Sequence, residues 1–173
     1  MPRLLISALA VSLVAAAALP ATASAKSKKP CTHSGSKTIA SNSTSRVYKV
    51  DTPDGGADGM TLDNVYGCWR SGDRRTLLAT EYDDDFVTSG HVNRIVLGGR
   101  YVLVLFTAED ISCKADCPPD YDPTTTDLTA YDLKRRKHKR LDVGDKIDAK
   151  SLKITGTTAA WTNDGTEKSA SLR

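Results

Sequence analysis

Short runs of apolar and β-branched residues, separated by polar stretches, fill the chain from about residue 46 onward. Many of these runs alternate apolar and polar positions, which is the period of a half-buried strand, and none has the 3.6-residue period of an amphipathic helix. Glycine turns such as Gly98-Gly99 supply the positive φ angles that tight hairpins require. The pattern predicts about ten strands, at 46–50, 64–70, 75–81, 92–97, 101–107, 127–133, 138–143, 151–155, 158–162 and 168–172.

This spacing of short strands and turns predicts an antiparallel all-β domain. A strand, a glycine turn and a second strand occur at 95–104 and again, in the same order, at 152–161. The segment 128–133 (LTAYDL) with its basic turn, and the segment 156–162 (GTTAAWT), resemble the hairpins and inner strands of WD40-like or TolB-like β-propeller blades. The resemblance implies a propeller-blade-like array of about two and a half blades, whereas closed propellers typically have four to eight. A two-sheet sandwich has the same alternation without closure, so both packings stay open.

The N-terminal segment has the three parts of a secretory signal peptide. Arg3 is its only charge before Lys26, residues 4–19 are almost wholly apolar, and Ala23-Ser24-Ala25 supplies the small residues of a cleavage site. The apolar run is shorter than the roughly 20 residues of a membrane span, which favours a cleaved signal over an anchor. We expect residues 1–25 to be removed and the mature protein to be secreted, with no transmembrane segment left.

Composition divides the remainder into two parts. Residues 26–45 are rich in Lys, Ser and Thr and poor in apolar residues, so we expect a flexible leader. Residues 46–173 are expected to form a single all-β domain. The formal net charge of the whole chain is +3, which by itself requires no polyanionic partner.

All four cysteines lie after the predicted signal peptide. An even number of cysteines in an exported chain is typical of disulfides, and three pairings are possible. We favour Cys113–Cys117, which closes a tight loop, together with Cys31–Cys68, which ties the leader to a strand. The alternative is a zinc site that uses Cys113, Cys117 and a histidine, but one Cys-x3-Cys pair without a matching second pair is weak evidence for zinc.

A basic run at 134–140 is the most conspicuous candidate site, with six permanent cations around His138. It falls between two predicted strands, where a solvated hairpin turn is the ordinary reason for polar residues. A run of this kind also raises the local potential and attracts anionic polymers, nucleic acid or lipid headgroups. The candidate anion-binding residues are Lys134, Arg135, Arg136, Lys137, Lys139 and Arg140.

Metal and catalytic signatures are weak. Acidic clusters at 83–85, at positions 51, 54 and 58, and at positions 116, 120 and 122 offer oxygen ligands for calcium, but none has the EF-hand spacing. We therefore predict no resident metal or cofactor, with calcium as the alternative. No Gly-x-Ser-x-Gly, phosphate-binding glycine loop or His-Glu-x-x-His is present. His91 is the one histidine placed to join an acidic pair.

Three functions follow as hypotheses. The first is a secreted, non-catalytic β domain that binds an anionic surface polymer or another exported protein through the basic hairpin. The second is an extracellular hydrolase or lyase built on propeller-like blades, which requires a pocket that joins His91 to carboxylates. The third is a scaffold that associates through exposed edge strands.

Intact mass spectrometry of the exported protein, with and without reductant, checks the compartment and the bridges together. We expect the mature chain to begin at Lys26 and to gain four hydrogen atoms on reduction, two for each disulfide. A chain that retains Met1 and four free thiols would contradict both expectations.

Overall fold

The computed structural model describes residues 31–52, 61–84, 88–110 and 123–173. The described chain is almost entirely antiparallel β-structure, which confirms the predicted fold class. One turn of 3₁₀ helix, Arg70–Gly72, joins two strands, and no helix in the described ranges is long and apolar enough to cross a membrane. The strands are β1 (Lys37–Ser41), β2 (Ser45–Thr52), β3 (Thr61–Trp69), β4 (Arg74–Asp83), β5 (Thr88–Gly98), β6 (Tyr101–Asp110), β7 (Thr124–Asp132), β8 (Lys137–Val143), β9 (Lys153–Thr155), β10 (Thr158–Asn163) and β11 (Thr166–Ser171).

The ten predicted strands correspond to β2 through β11, and β1 is an addition. It lies within residues 26–45, where we expected a flexible leader, and the structure places a strand in this part of the segment. The sequence of β1, KTIAS, gives little apolar signal, and only Ala40 of it packs against the core. Pairing with β2 holds this segment in a strand, through partners such as Thr38 with Tyr48 and Ala40 with Val47.

The strands form two sheets with simple topology. β1 to β8 pair in chain order in one antiparallel sheet, and β9 to β11 form a second sheet with β10 in the middle. The ladder between β4 and β5 has two residue pairs, Tyr82 with Gly90 and Asp83 with Ser89. We therefore divide the large sheet at this point into a first unit (β1–β4) and a second unit (β5–β8), and call β9–β11 the third unit.

Both faces of β6 are buried, which places this strand in the middle layer of the described structure. Tyr101, Leu103 and Leu105 face a cluster shared with the third unit. Val102 and Val104, on the opposite face, pack with residues of the first unit. A continuous apolar run is the sequence signature of a strand that is covered on both sides. The three units are thus stacked face to face, with the second unit in the centre.

Two strand glycines allow the units to approach closely. A Cβ atom at Gly98 would lie 2.5 Å from Ile154 Cγ2 of β9, and one at Gly67 would collide with the side chain of Leu133. Glycine within a strand commonly marks such a close approach of neighbouring chain. Both positions therefore set the spacing between adjacent units.

The first strand of each unit contacts the first strand of the next. β1 contacts β5, and β5 contacts β9. Asn42 Nδ2, in the turn after β1, donates a hydrogen bond of 3.0 Å to the carbonyl oxygen of Gly99 in the turn after β5. Within the described ranges the strands do not close into a barrel.

The predicted Cys31–Cys68 disulfide is present in the structure, with the two Cα atoms 5.8 Å apart. It holds the segment before β1 against the first unit, where His33 stacks on Tyr48. Arg46 Nη1 donates to the Cys31 carbonyl at 2.7 Å and so fixes the same segment. Cys113 and Cys117 lie outside the described residues.

A carboxylate on β8 joins the second unit to the third. Asp142 accepts hydrogen bonds from Trp161 Nε1 at 2.6 Å, Asn163 Nδ2 at 3.0 Å and Lys168 Nζ at 2.9 Å, and its side chain is 13% exposed. Burial alone would raise the pKa of Asp142, but these donors and the Val143 amide outweigh it and lower the pKa from its ordinary 3.8 to about 2. The ionised form is therefore the one that stabilises the junction.

The substitution Asp142→Asn tests this junction. Because the folded-state pKa lies below the unfolded one, the stabilisation is fully present above about pH 4 and is lost as the pH falls toward 2. We expect the variant to lose about 2 kcal/mol of unfolding free energy at pH 7 and to show a shallower decline in stability between pH 4 and 2. Urea denaturation at several pH values measures both effects. The exposed Asp145→Asn is the matched control, and equal behaviour of the two variants would contradict the assignment.

Candidate anion-binding hairpin

The basic run forms the turn between β7 and β8 and the first half of β8. All seven residues at 134–140 are exposed. Arg136 closes the turn with a positive φ of 57°, in the left-handed region that favours glycine. The prediction of a hairpin at this position is therefore confirmed, and the hairpin carries its side chains into solvent.

Asp132, the last residue of β7, holds the backbone of this turn. Its Oδ1 accepts hydrogen bonds from the amides of Lys134 and Arg135, each at 3.1 Å. The side chain is only 8% exposed, and Arg100 Nη2 lies 3.1 Å from Oδ2 as its charge partner. A buried carboxylate is stable only with such a partner. Asp132 thus fixes the turn from its buried side, while the cations of the turn remain exposed to solvent.

The six candidate cations divide into paired and unpaired groups. Arg140 is bound to Asp127, with Nε 2.7 Å from Oδ1, and Arg135 Nε lies 3.9 Å from Asp132 Oδ2. The other four form no ion pair with any residue in the described ranges: Lys134, Arg136, Lys137 and Lys139. These four cations, which we call the free cations, carry the uncompensated charge of the site.

Strand register assigns the cations of β8 to different faces. Lys139 pairs with Ala130, which packs in the cluster shared with the third unit, and Lys137 lies on the same face. His138 is on the opposite face, next to the ring of Tyr131 at 5.7 Å between centroids. The two-residue period of a strand divides these residues between two faces, but which face lies toward the third unit depends on the long-range packing.

A small pocket of about 170 Å³ lies beside the hairpin, between β8 and the end of β11. Sequence reasoning missed it because its two walls are more than twenty-five residues apart in the chain. Hydrophobic side chains form its floor and cations its rim. Among its lining residues, Ala130, Leu141 and Leu172 form the apolar floor, and the exposed cations Arg135, Lys137 and Lys139 form the rim.

His91 lines a separate polar pocket of about 320 Å³ together with Glu81 and Asp83. Glu81 is occupied, since Oε1 accepts from the Val92 amide at 2.9 Å and Oε2 lies 2.7 Å from Lys49 Nζ. Partial burial would lower the pKa of Lys49, but the hydrogen bonds that its ammonium donates to Asp63 and Glu81 raise it above its ordinary value. Lys49 thus stays charged and balances the Asp63 and Glu81 carboxylates of this pocket, while Asp83 lies beside His91 in the same lining.

Metal-type side chains come together at one place within the described ranges, where Cys31, Cys68 and Asp73 are close. The two sulfurs are joined in the disulfide, and Asp73 Oδ1 accepts a hydrogen bond of 2.6 Å from the Cys31 amide, so the group is structural. Of the candidate calcium clusters, Asp51, Asp83 and Asp84 are described and do not form such a group. The other acidic residues of these three clusters lie outside the described residues.

Comparison with known proteins identifies no relative. No protein-family model, no curated protein and no solved structure matches the chain.

Proposed function

We propose that this chain is an exported, non-catalytic β domain that binds an anionic polymer at the cell exterior through the β7–β8 hairpin. The observation that carries the proposal is the set of free cations Lys134, Arg136, Lys137 and Lys139 on a turn anchored by Asp132. The signal-like N-terminus and the Cys31–Cys68 bridge support an oxidising destination. Residues 1–30 lie outside the described part, so export rests on the sequence pattern.

The spacing of the cations suits a repeating anion. Side chains two positions apart on a strand, such as Lys137 and Lys139, project on the same face roughly 7 Å apart. This distance is within the Debye length of about 8 Å at physiological ionic strength, so the charges act together on a nearby anion. Because Asp132 fixes the turn, little ordering of the backbone is needed on binding.

The lysines on β8 also have a structural reason to be there. β8 is an edge of the large sheet, and lysines on an edge strand oppose unwanted pairing with other strands. A bulge opposite Leu128 and Thr129 further disrupts the edge after Arg140. These features disfavour a scaffold that docks by strand addition at β8, and they favour partners that contact side chains.

Neutralising the free cations tests the proposal. We expect a variant with all four changed to glutamine to elute from immobilised heparin at clearly lower salt than the parent, because its local charge is gone. The matched control removes three lysines and one arginine elsewhere: Lys37, Arg74, Lys150 and Lys153, which are all exposed.

The control separates a site from net charge, since both variants lose four positive charges. The proposal predicts that the control retains most of the parent's heparin retention. Equal shifts in the two variants would mean that only overall charge matters, and an unshifted hairpin variant would refute the site outright.

We also propose that the three units are blade-like modules of an open, capped array. Contacts between the first strands of successive units support this arrangement. A terminal module in a repeat array needs a polar outer face. The strand register places Thr158, Thr162 and Ser169 on the outward face of the third unit, while the segment at Cys31 covers part of the first.

A capped array should be monomeric. Leu77 is 49% exposed on the outward face of the first unit, so this is the face at which self-association has to be tested. We expect sedimentation equilibrium to give the mass of a single chain across the micromolar range. A concentration-dependent dimer that Leu77→Lys abolishes would show that the array is not capped on this side.

A further inference from the structure

The pocket beside the hairpin combines an apolar floor with a cationic rim. Ala130 and Leu172 belong to the buried cluster between the second and third units, and Leu141 packs against it. Lys137 and Lys139 stand at the mouth on the same face of β8. An apolar pocket with a few convergent polar groups is the usual form of a small-molecule site.

The architecture explains why the pocket exists. The bulge in the β7–β8 ladder leaves Leu141 without a ladder partner, while Leu172 is held just after β11 by a hydrogen bond from its amide to the Thr157 carbonyl at 2.9 Å. The two outer strands of neighbouring units are not hydrogen-bonded to each other, so a gap stays open between them. Both walls are supported by the core, which preorganises the gap.

Size limits the apolar group that the pocket accepts. Its volume is about 170 Å³. An engineered apolar cavity of roughly 150 Å³ in another protein stays dry and binds benzene. The pocket thus fits one ring or a short alkyl segment.

Charge then selects the ligand class. Lys137 and Lys139 form no ion pair with the described residues, so an anion at the mouth meets uncompensated charge. Asp132 also lines this pocket, but its carboxylate lies 3.1 Å from the Arg100 guanidinium. The apolar groove on the other side of β7, of about 310 Å³, is lined by Asp127, whose carboxylate binds the Arg140 guanidinium. The two grooves flank the same hairpin, but only the smaller one has free cations at its mouth among the described residues.

We propose that this pocket binds an amphiphilic anion, with an apolar group the size of a benzene ring on Leu141 and Leu172 and a phosphate, sulfate or carboxylate at Lys137 and Lys139. Such a group is either a free small molecule or a substituent carried by an anionic polymer. The inference rests on the proposed function and adds that the site recognises an apolar group next to the anion.

Phenyl phosphate is the probe, compared with inorganic phosphate and with neutral phenyl β-glucoside. We expect phenyl phosphate to bind at least about tenfold more tightly than inorganic phosphate, since several carbons leave water. The glucoside, which lacks the charge, should bind more weakly than phenyl phosphate. Titration followed by amide chemical shifts measures weak affinities and shows whether residues near Leu141 and Leu172 respond.

A pocket-filling variant separates the apolar part from the charge. Leu141→Trp occupies the pocket and leaves every cation in place, so it should abolish the advantage of phenyl phosphate over phosphate while heparin retention stays at the parent level. Val143→Trp is the matched control, because Val143 lies on the same strand, is 44% exposed and is not part of the pocket. Thermal unfolding of both variants confirms that they fold. Should Leu141→Trp unfold, Leu141→Ser, which makes the floor polar, must reduce the same advantage.

Each outcome is informative. If phenyl phosphate binds no better than phosphate, or if Leu141→Trp leaves its affinity unchanged in a folded protein, the pocket is not a ligand site, although the hairpin can still bind polymers. If the hairpin variant with four glutamines retains heparin as the parent does, the proposed function itself fails. Binding of a polymer that carries phenyl groups, without binding of phenyl phosphate, would also count against the pocket.

Discussion

Burial of both faces of β6 is the constraint on which the other features of the fold depend. Leu103 and Leu105 hold the third unit, while Val102 and Val104 hold the first, so neither outer unit has a complete core without this strand. Fully burying an aliphatic side chain contributes about 1.5–3 kcal/mol, and β6 presents a continuous row of them. The middle layer also carries β7 and β8, so the hairpin projects from the same unit as β6.

The candidate site follows from this layered arrangement. Because Asp132 lies on the face of β7 that packs toward the third unit, it is buried and requires Arg100 as a charge partner. The same carboxylate accepts hydrogen bonds from the turn amides. One buried side chain therefore both balances the charge of Arg100 and fixes the shape of the surface hairpin. On the far end of β8, Asp142 fixes the third unit through Trp161 and Lys168. Between these two anchors lies the pocket.

The strands were predictable because alternation and glycine turns are local signals, and ten of them were located from sequence. β1 was missed because its apolar content is low and its order comes from pairing with β2 and from the Cys31–Cys68 bridge. The hairpin was also visible, since a basic turn between two strands is local. Which cations are free was not predictable, because the ion pair of Arg140 and the burial of Asp132 depend on side-chain geometry. The pocket was hidden for the same reason, as Leu141 and Leu172 meet only in the folded stack.

Native-state hydrogen exchange tests the role of β6 most directly. If β6 is the shared layer of one cooperative stack, its amides and those of β10 should exchange only through global unfolding, with the same free energy, and that free energy should fall equally in both strands when denaturant is added. Exchange of β10 through a separate, less costly opening while β6 stays protected would contradict this account, since the third unit would then be an independent module and the groove between β8 and β11 would not be fixed.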